Sequence, residues 1–399
     1  MQYVAVAVAG ATAFLDMYAT QPLLPALRVD FRASEAAVAA TISSLTFAVA
    51  IAAPFIGPLV DAIGRKRVIV TAIFALAIVT LFASRASTLG ELVAWRFVQG
   101  LIMPGIFATT VAYIAEEFPP GVLGRASGVY VGGNVLGGFL GRYVGSLVAA
   151  HATWHEAFLV LGAMNVAGGL VVLALLPRAQ HFERKTSARA ALAAIGRFLR
   201  DPTMLATFAV GSSILFAQVA ALTFATFYLA GAPFKLDTIA IGDVFFVYLV
   251  GAVATPISGR LVDRFGNRFT SVLALCASAT GMLITLAPSL PIVIAGIGLM
   301  TTGVFVAQAS SQGYVGRIAG GNRSSAAALY LTFYYAGGGL GAVIPAHAWA
   351  TGGWPATVAT IVVVQFGAAL VARLLWKGPV PVVGKARVTS ATARTARPR

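Results

Sequence analysis

The sequence predicts an all-α membrane protein: twelve spanning helices in two pseudo-symmetric six-helix bundles. Three observations predict it. Of the 399 residues, 59% are hydrophobic and only 10% charged, whereas soluble chains carry roughly 25% charged residues. The apolar residues lie in long continuous runs rather than alternating, which favours helices over barrel strands. One polar turn also occurs twice. Gly57-Pro58-Leu59-Val60-Asp61-Ala62-Ile63-Gly64-Arg65-Lys66-Arg67 returns 202 residues later as Gly259-Arg260-Leu261-Val262-Asp263-Arg264-Phe265-Gly266-Asn267-Arg268. A charged turn between membrane-length segments, once in each half, marks a duplicated membrane protein.

A helix needs about 20 residues to cross a bilayer. Runs that meet this lie at 3–27, 38–60, 68–86, 89–115, 127–150 and 157–176, then at 203–230, 239–259, 269–287, 291–315, 326–350 and 355–375. The expected organisation is an N-terminal six-helix bundle over 1–176, a basic cytoplasmic linker over 177–202, a C-terminal bundle over 203–376 and a disordered basic tail over 377–399. In the linker, Ser187 to Leu199 carries Ala, Leu and Ile at helical spacing. An interfacial amphipathic helix and a disordered basic linker both fit that pattern.

Loop charge sets the orientation. With both termini cytoplasmic, the inner segments hold 21 Lys and Arg and the outer ones hold four: Arg28, Arg32, Arg85 and Lys235. The expected place is the bacterial inner membrane, crossed many times. The net charge of +15 sits in loops between apolar runs, so it reads as topology and lipid attraction rather than nucleic-acid binding. Glu91 and Asp243, near outer helix ends, read as solvated.

The residue inventory argues against an enzyme. Cys276 is the only cysteine and the four histidines are scattered, so no metal site is expected. No phosphate-cradling Gly-x-x-x-x-Gly-Lys-Ser/Thr loop, nucleophile elbow or His-Glu-x-x-His occurs. No cofactor is expected. A membrane sensor would need a soluble output domain, and no such segment is evident in the sequence.

Twelve spans in two sixes, a central basic segment and the duplicated turn together resemble the major facilitator superfamily. The turn at 57–67 is similar to that family's signature between helices 2 and 3, and the copy at 259–268 to its looser echo between helices 8 and 9. Leu15-Asp16 followed by Leu24-Pro25 resembles the helix 1 motif of drug:proton antiporters. Arg96-Phe97-Val98-Gln99-Gly100 resembles the helix 4 motif with its buried arginine. Gly132-Gly133-Asn134-Val135-Leu136-Gly137-Gly138-Phe139-Leu140-Gly141 resembles the glycine-rich helix 5 motif of antiporters, although Arg142 stands where a proline is common. That Gly-Arg pair, with Tyr334-Tyr335-Ala336-Gly337-Gly338-Gly339 and Gly353-Trp354-Pro355, looks more like a bacterial inner-membrane branch of acriflavine-sensitivity-type exporters.

Asp16, Arg96 and Arg142 are the charges deep inside apolar runs. Each costs about 2.5–3.5 kcal/mol at a helix centre unless a partner or water offsets it. Counting about 1.5 Å per residue along antiparallel spans places all three at similar depth in the outer half of the first bundle. The expectation is therefore that Asp16 sits among both arginines. Asp16 reads either as a proton-coupling carboxylate, tuned by Arg96 and Arg142, or as part of a permanent ion pair locking helices 1, 4 and 5. By the resemblance, Gly57, Asp61, Gly64 and Arg65, with Asp263 and Arg268 in the second copy, gate the inner face. Helix-end capping and a membrane-stop signal fit the same carboxylates.

The family cavity is lined by helices 1, 4, 7 and 10. Carried onto this chain, that places Tyr18, Gln21, Gln99, Met103, Gln218, Phe227, Phe305 and Gln308 along it, with Tyr334 joining from helix 11. Aromatics with a few amides suit a small amphipathic molecule. The expected function is proton-coupled efflux of such a compound by alternating access, with substrate, protons and lipid as partners and a monomer as the working unit. The alternative is proton-coupled uptake or export of a metabolite, such as a sugar or an organic anion held by the arginines.

Overall fold

The computed structural model describes residues 1–179 and 194–377. The basic tail, and most of the segment expected as an amphipathic linker, lie outside the described residues. Those described are helical, with no strand among them.

The first half contains α1 (Gln2–Met17, resuming after a break as Leu24–Asp30), α2 (Glu35–Ala52, continuing as Ile56–Ile63) and α3 (Arg65–Ala83). It continues with α4 (Leu89–Glu117), α5 (Leu123–His151) and α6 (Trp154–Leu175). In the second half, α7 is Pro202–Ala230 and α8 starts as Thr238–Val244 and resumes over 250–265. The chain breaks at Gly266 before α9 at 267–284. α10 is Leu290–Ile318, and a break at Gly352 and Gly353 separates α11 (323–351) from α12 (354–375). Among the described residues nine stretches are long and apolar enough to cross a membrane, including 238–284 and 323–375, which each contain one of these breaks. The glycine-rich α5 adds a further rod of 29 residues. The expected spans thus correspond to the observed helices to within a few residues.

Local chemistry explains where the helices start. Ser34, Thr88 and Thr153 accept hydrogen bonds from the backbone N–H groups of Ala37, Glu91 and Glu156, at 3.2, 3.2 and 3.3 Å. Asp201 and Asp237 cap α7 and α8 through Thr203 and Ala240, both at 2.8 Å. These side chains satisfy donors that a helix start leaves unpaired. Large apolar side chains such as Val363, Leu370 and Leu374 are exposed, as a lipid-facing surface requires.

Small residues draw the helices together. A Cβ on Gly133, Gly137 or Gly141 would overlap the carbonyl oxygens of Ala7, Ala11 and Leu15, so α5 lies directly on the backbone of α1. Gly337 and Gly341 of α11 lie in the same way on Ser212 and Phe216 of α7. Both seams repeat every four residues, the small-residue packing used where lipid supplies no hydrophobic drive between helices.

Candidate functional site

α1 breaks in the middle of the structure, after Met17. Pro22 and Pro25 carry no N–H and cannot continue its ladder. The break leaves carbonyls of the last turn without helical partners. Arg96 of α4, with no exposed surface, fills them: Nη1 donates to the Asp16 carbonyl and Nη2 to the Met17 carbonyl, both at 2.7 Å. A cation at a helix C-terminus is also favoured by the helix dipole. Arg96 Nε reaches the Thr41 carbonyl of α2 at 3.1 Å, and Nη1 also reaches Gln99 Oε1 at 2.7 Å.

The Asp16 side chain points elsewhere. It is fully buried, and its Oδ2 accepts from Thr80 of α3 at 3.1 Å and from Asn165 Nδ2 of α6. Gln99 Nε2 donates to Thr80 Oγ1 at 2.7 Å, which closes a chain Arg96–Gln99–Thr80–Asp16–Asn165. Asp16 Oδ1 and Asn165 Oδ1 are buried without a hydrogen-bond partner.

Arg142 is not part of that group, contrary to the expectation that Asp16 sits between both arginines. It is 1% exposed. Its Nε donates to Gln21 Oε1 at 2.8 Å and its Nη1 to the Gly138 carbonyl at 2.6 Å. The guanidinium lies over the rings of Tyr248, Tyr18 and Phe245, 4.4, 4.9 and 5.2 Å from their centroids. Depth along a helix does not give azimuth: Arg142 faces α8 across the two halves, whereas Asp16 faces α3 and α6. A locked Asp16 ion pair with both arginines is therefore not the arrangement found.

Gln21 also bridges the halves, since its Nε2 donates to Thr223 of α7 at 3.2 Å. Nearer the middle, Tyr335 of α11 donates to Met17 Sδ at 3.8 Å and stacks on Phe107 of α4 at 5.6 Å. At the start of α5, Gly124 and Gly128, and Gly121 just before it, have only open space where a Cβ would stand.

The other expected lining residues divide. Tyr18 and Gln21 belong to the Arg142 group, and Gln99 to the Asp16 chain. Gln218 is buried with its Nε2 unpartnered. Phe305 meets the Tyr248 ring at 5.2 Å, and Tyr334 stands between Tyr330 and Tyr335. Gln308 is half-buried. Phe227 packs on Trp349 and Phe224 at 6.0 and 6.1 Å, so it serves the packing of α7 against α11. Met103 is a core residue with no exposed surface.

In the doubled turn Gly64 has φ +96° and Gly266 has φ +79°, a conformation few residues other than glycine adopt. Arg65 forms a two-pronged pair with Glu116 of α4, at 3.0 and 2.8 Å. In the second copy Asn267 takes the place of Arg65 and donates to the Ser310 carbonyl at 2.6 Å. Asp263 is exposed, and Arg268 reaches the Trp376 carbonyl at 3.4 Å. The Gly57 position opens onto free space, and the side chain of Asp61 lies outside the described residues.

Sequence reading missed Thr80, Asn165, Glu116, Tyr248 and Phe245. Thr80 and Asn165 carried a usable signal, being polar groups inside apolar spans. The two aromatics carried none.

The sequence also matches a family model, described as Major Facilitator Superfamily, over residues 6–242 and 231–398. It is 30% identical over 355 residues to the uncharacterised MFS-type transporter YybF of Bacillus subtilis, covering 88% of each chain. It is 30% identical over 348 residues to the inner membrane transport protein YnfM of Escherichia coli, covering 87% of this chain and 83% of that protein. A bacterial homologue of the human lysosomal transporter Spinster, solved inward-facing and unoccupied, superposes with a TM-score of 0.77 at 16% identity, over 94% of this chain and 96% of that one. The nucleoside transporter NupG superposes at 0.76 and 14% identity, over 94% of this chain and all of that one. The chain is thus a multi-pass membrane transporter rather than an enzyme, and it belongs to the Major Facilitator Superfamily.

Proposed function

We propose that this protein is a proton-coupled exporter of small amphipathic compounds, working by alternating access in a bacterial inner membrane with both termini cytoplasmic. It works as a monomer on a small-molecule substrate and protons. The first bundle spans 1–176 and the second 203–376, joined by the cytoplasmic linker.

The observation that carries the reading is Asp16. A fully buried carboxylate touched by neutral donors is costly when charged. Both Asp16 Oδ1 and Asn165 Oδ1 lack a donor. A proton on the carboxyl removes that cost, and its loss creates a buried negative charge that Arg96 offsets, the two being joined through Gln99 and Thr80. Asp16 therefore has two protonation states with different neighbours, which is what coupling requires. Arg96 holds the broken end of α1 and tunes that choice. Arg65 with Glu116 ties α3 to α4 and holds one orientation of the inner gate, together with Gly57, Asp61 and Gly64; Asp263 and Arg268 act in the looser second copy. The Gln21–Thr223 contact ties α1 to α7 and helps to close the outer side.

The test is a toxicity and accumulation screen in an efflux-deficient bacterial host, with and without this gene and with and without a proton uncoupler. Expression is expected to lower retention of a set of amphipathic compounds, and the uncoupler to restore it. Retention unchanged by the uncoupler would remove proton coupling; rising retention on expression would reverse the direction.

A further inference from the structure

The two buried arginines differ in how fully the protein uses them. A guanidinium has five N–H donors. Arg96 places four hydrogen bonds on protein acceptors. Arg142 places fewer, on Gln21 and Gly138, with the Tyr248 hydroxyl as a further polar neighbour. No ion pair joins Arg142 to a carboxylate among the described residues, where Arg28–Glu35 and Arg65–Glu116 are paired. Ring faces of Tyr18, Tyr248 and Phe245 attract the cation without neutralising it. A buried charge left in this condition is costly.

Its position is at the boundary between the halves. Arg142 belongs to the first half and Tyr248 and Phe245 to the second, and Phe305 extends the aromatic wall at 5.2 Å from Tyr248. A planar fork with unused donors, walled by aromatic rings, matches a carboxylate on an apolar body. We propose that Arg142 is the substrate's anion site and that the exported compounds are amphipathic monocarboxylates, their apolar part resting on Tyr18, Tyr248 and Phe305. This deepens the export reading by naming its substrate class.

The site also acts on the outer closure. Arg142 fixes the Gln21 amide with its oxygen inward, so the amide nitrogen faces Thr223. A carboxylate competing for Arg142 releases Gln21 to turn, which loosens the bond between α1 and α7 and favours opening outward.

The test is direct binding to purified full-length protein in detergent, without any gradient. Octanoate, benzoate and 1-naphthoate are titrated calorimetrically beside their primary amides. At least one acid is expected to bind, with its amide about tenfold or more weaker, the size of one charge-assisted interaction. Arg142→Gln is expected to erase that difference. If Arg142→Gln does not fold, Gln21→Ala gives the second reading: freeing Nε is expected to tighten the acid about threefold and leave the amide unchanged. No binding by any acid, equal binding of acid and amide, a preference that survives Arg142→Gln, or an acid not tightened by Gln21→Ala would each overturn the proposal. Because no proton gradient is used, failure of proton-driven export would not register in this measurement.

Discussion

The two copies of the polar turn share a backbone and differ in chemistry. Each bends at a glycine with positive φ, Gly64 and Gly266, and each follows an aspartate three residues earlier. After the glycine the first copy has Arg65, bound through two prongs to a carboxylate on α4. The second has Asn267, bound to a backbone carbonyl of α10. The same contrast recurs in mid-membrane. Gln218 stands 202 residues after Asp16, the offset between the turns, and carries no charge. The glycine seams, by contrast, are retained in both halves. Packing is shared by the halves, while the three deep charges lie in the first alone. On the proposed reading the second half serves as wall and lever for chemistry held by the first.

The largest expected effect tests the shared part. Gly137→Leu and Gly337→Leu each drive a side chain into the backbone of a neighbouring helix, and overpacking costs about 1–3 kcal/mol or more. Both are expected to lower the unfolding temperature in detergent by similar amounts. A large loss in one half and none in the other would break the equivalence.

Next comes the divergent turn. Arg65→Ala strands Glu116 in a partly buried site, a loss of about 1–3 kcal/mol, whereas Asn267→Ala removes one hydrogen bond worth about 1 kcal/mol. Transport is expected to fall far more in Arg65→Ala. Equal losses would show that the charge adds nothing to the turn.

The smallest effect is at the outer bridge. Thr223→Val removes the acceptor for Gln21, worth about 0.5–1.5 kcal/mol. The distance between spin labels at the outer ends of α1 and α7 is expected to shift towards longer values. An unchanged distribution would show that this bond does not help to close the outer side.

Helices and their order were legible because continuous apolar runs and their polar breaks are one-dimensional signals. The doubled turn carried the symmetry. The site was legible only in part. Asp16, Arg96 and Arg142 stood out because charge is rare in such runs, and their depth followed from counting residues. Which of them touch did not, because contact depends on how each helix is rotated. The glycine seam fixes that rotation by pressing α5 onto α1, and it turns Arg142 away from Asp16. Asn165 and Thr80 went unread because neutral polar residues in membrane helices most often bond their own backbone, as Thr80 also does to Leu76.

The most direct measurement is transport in proteoliposomes under an imposed pH gradient, comparing wild type with Asp16→Asn on a substrate identified by the accumulation screen. The amide keeps the shape of the side chain but takes no proton. Asp16→Asn is expected to lose gradient-driven accumulation and its dependence on pH, while still exchanging substrate down its own gradient. Gradient-driven accumulation equal to that of wild type would contradict the account.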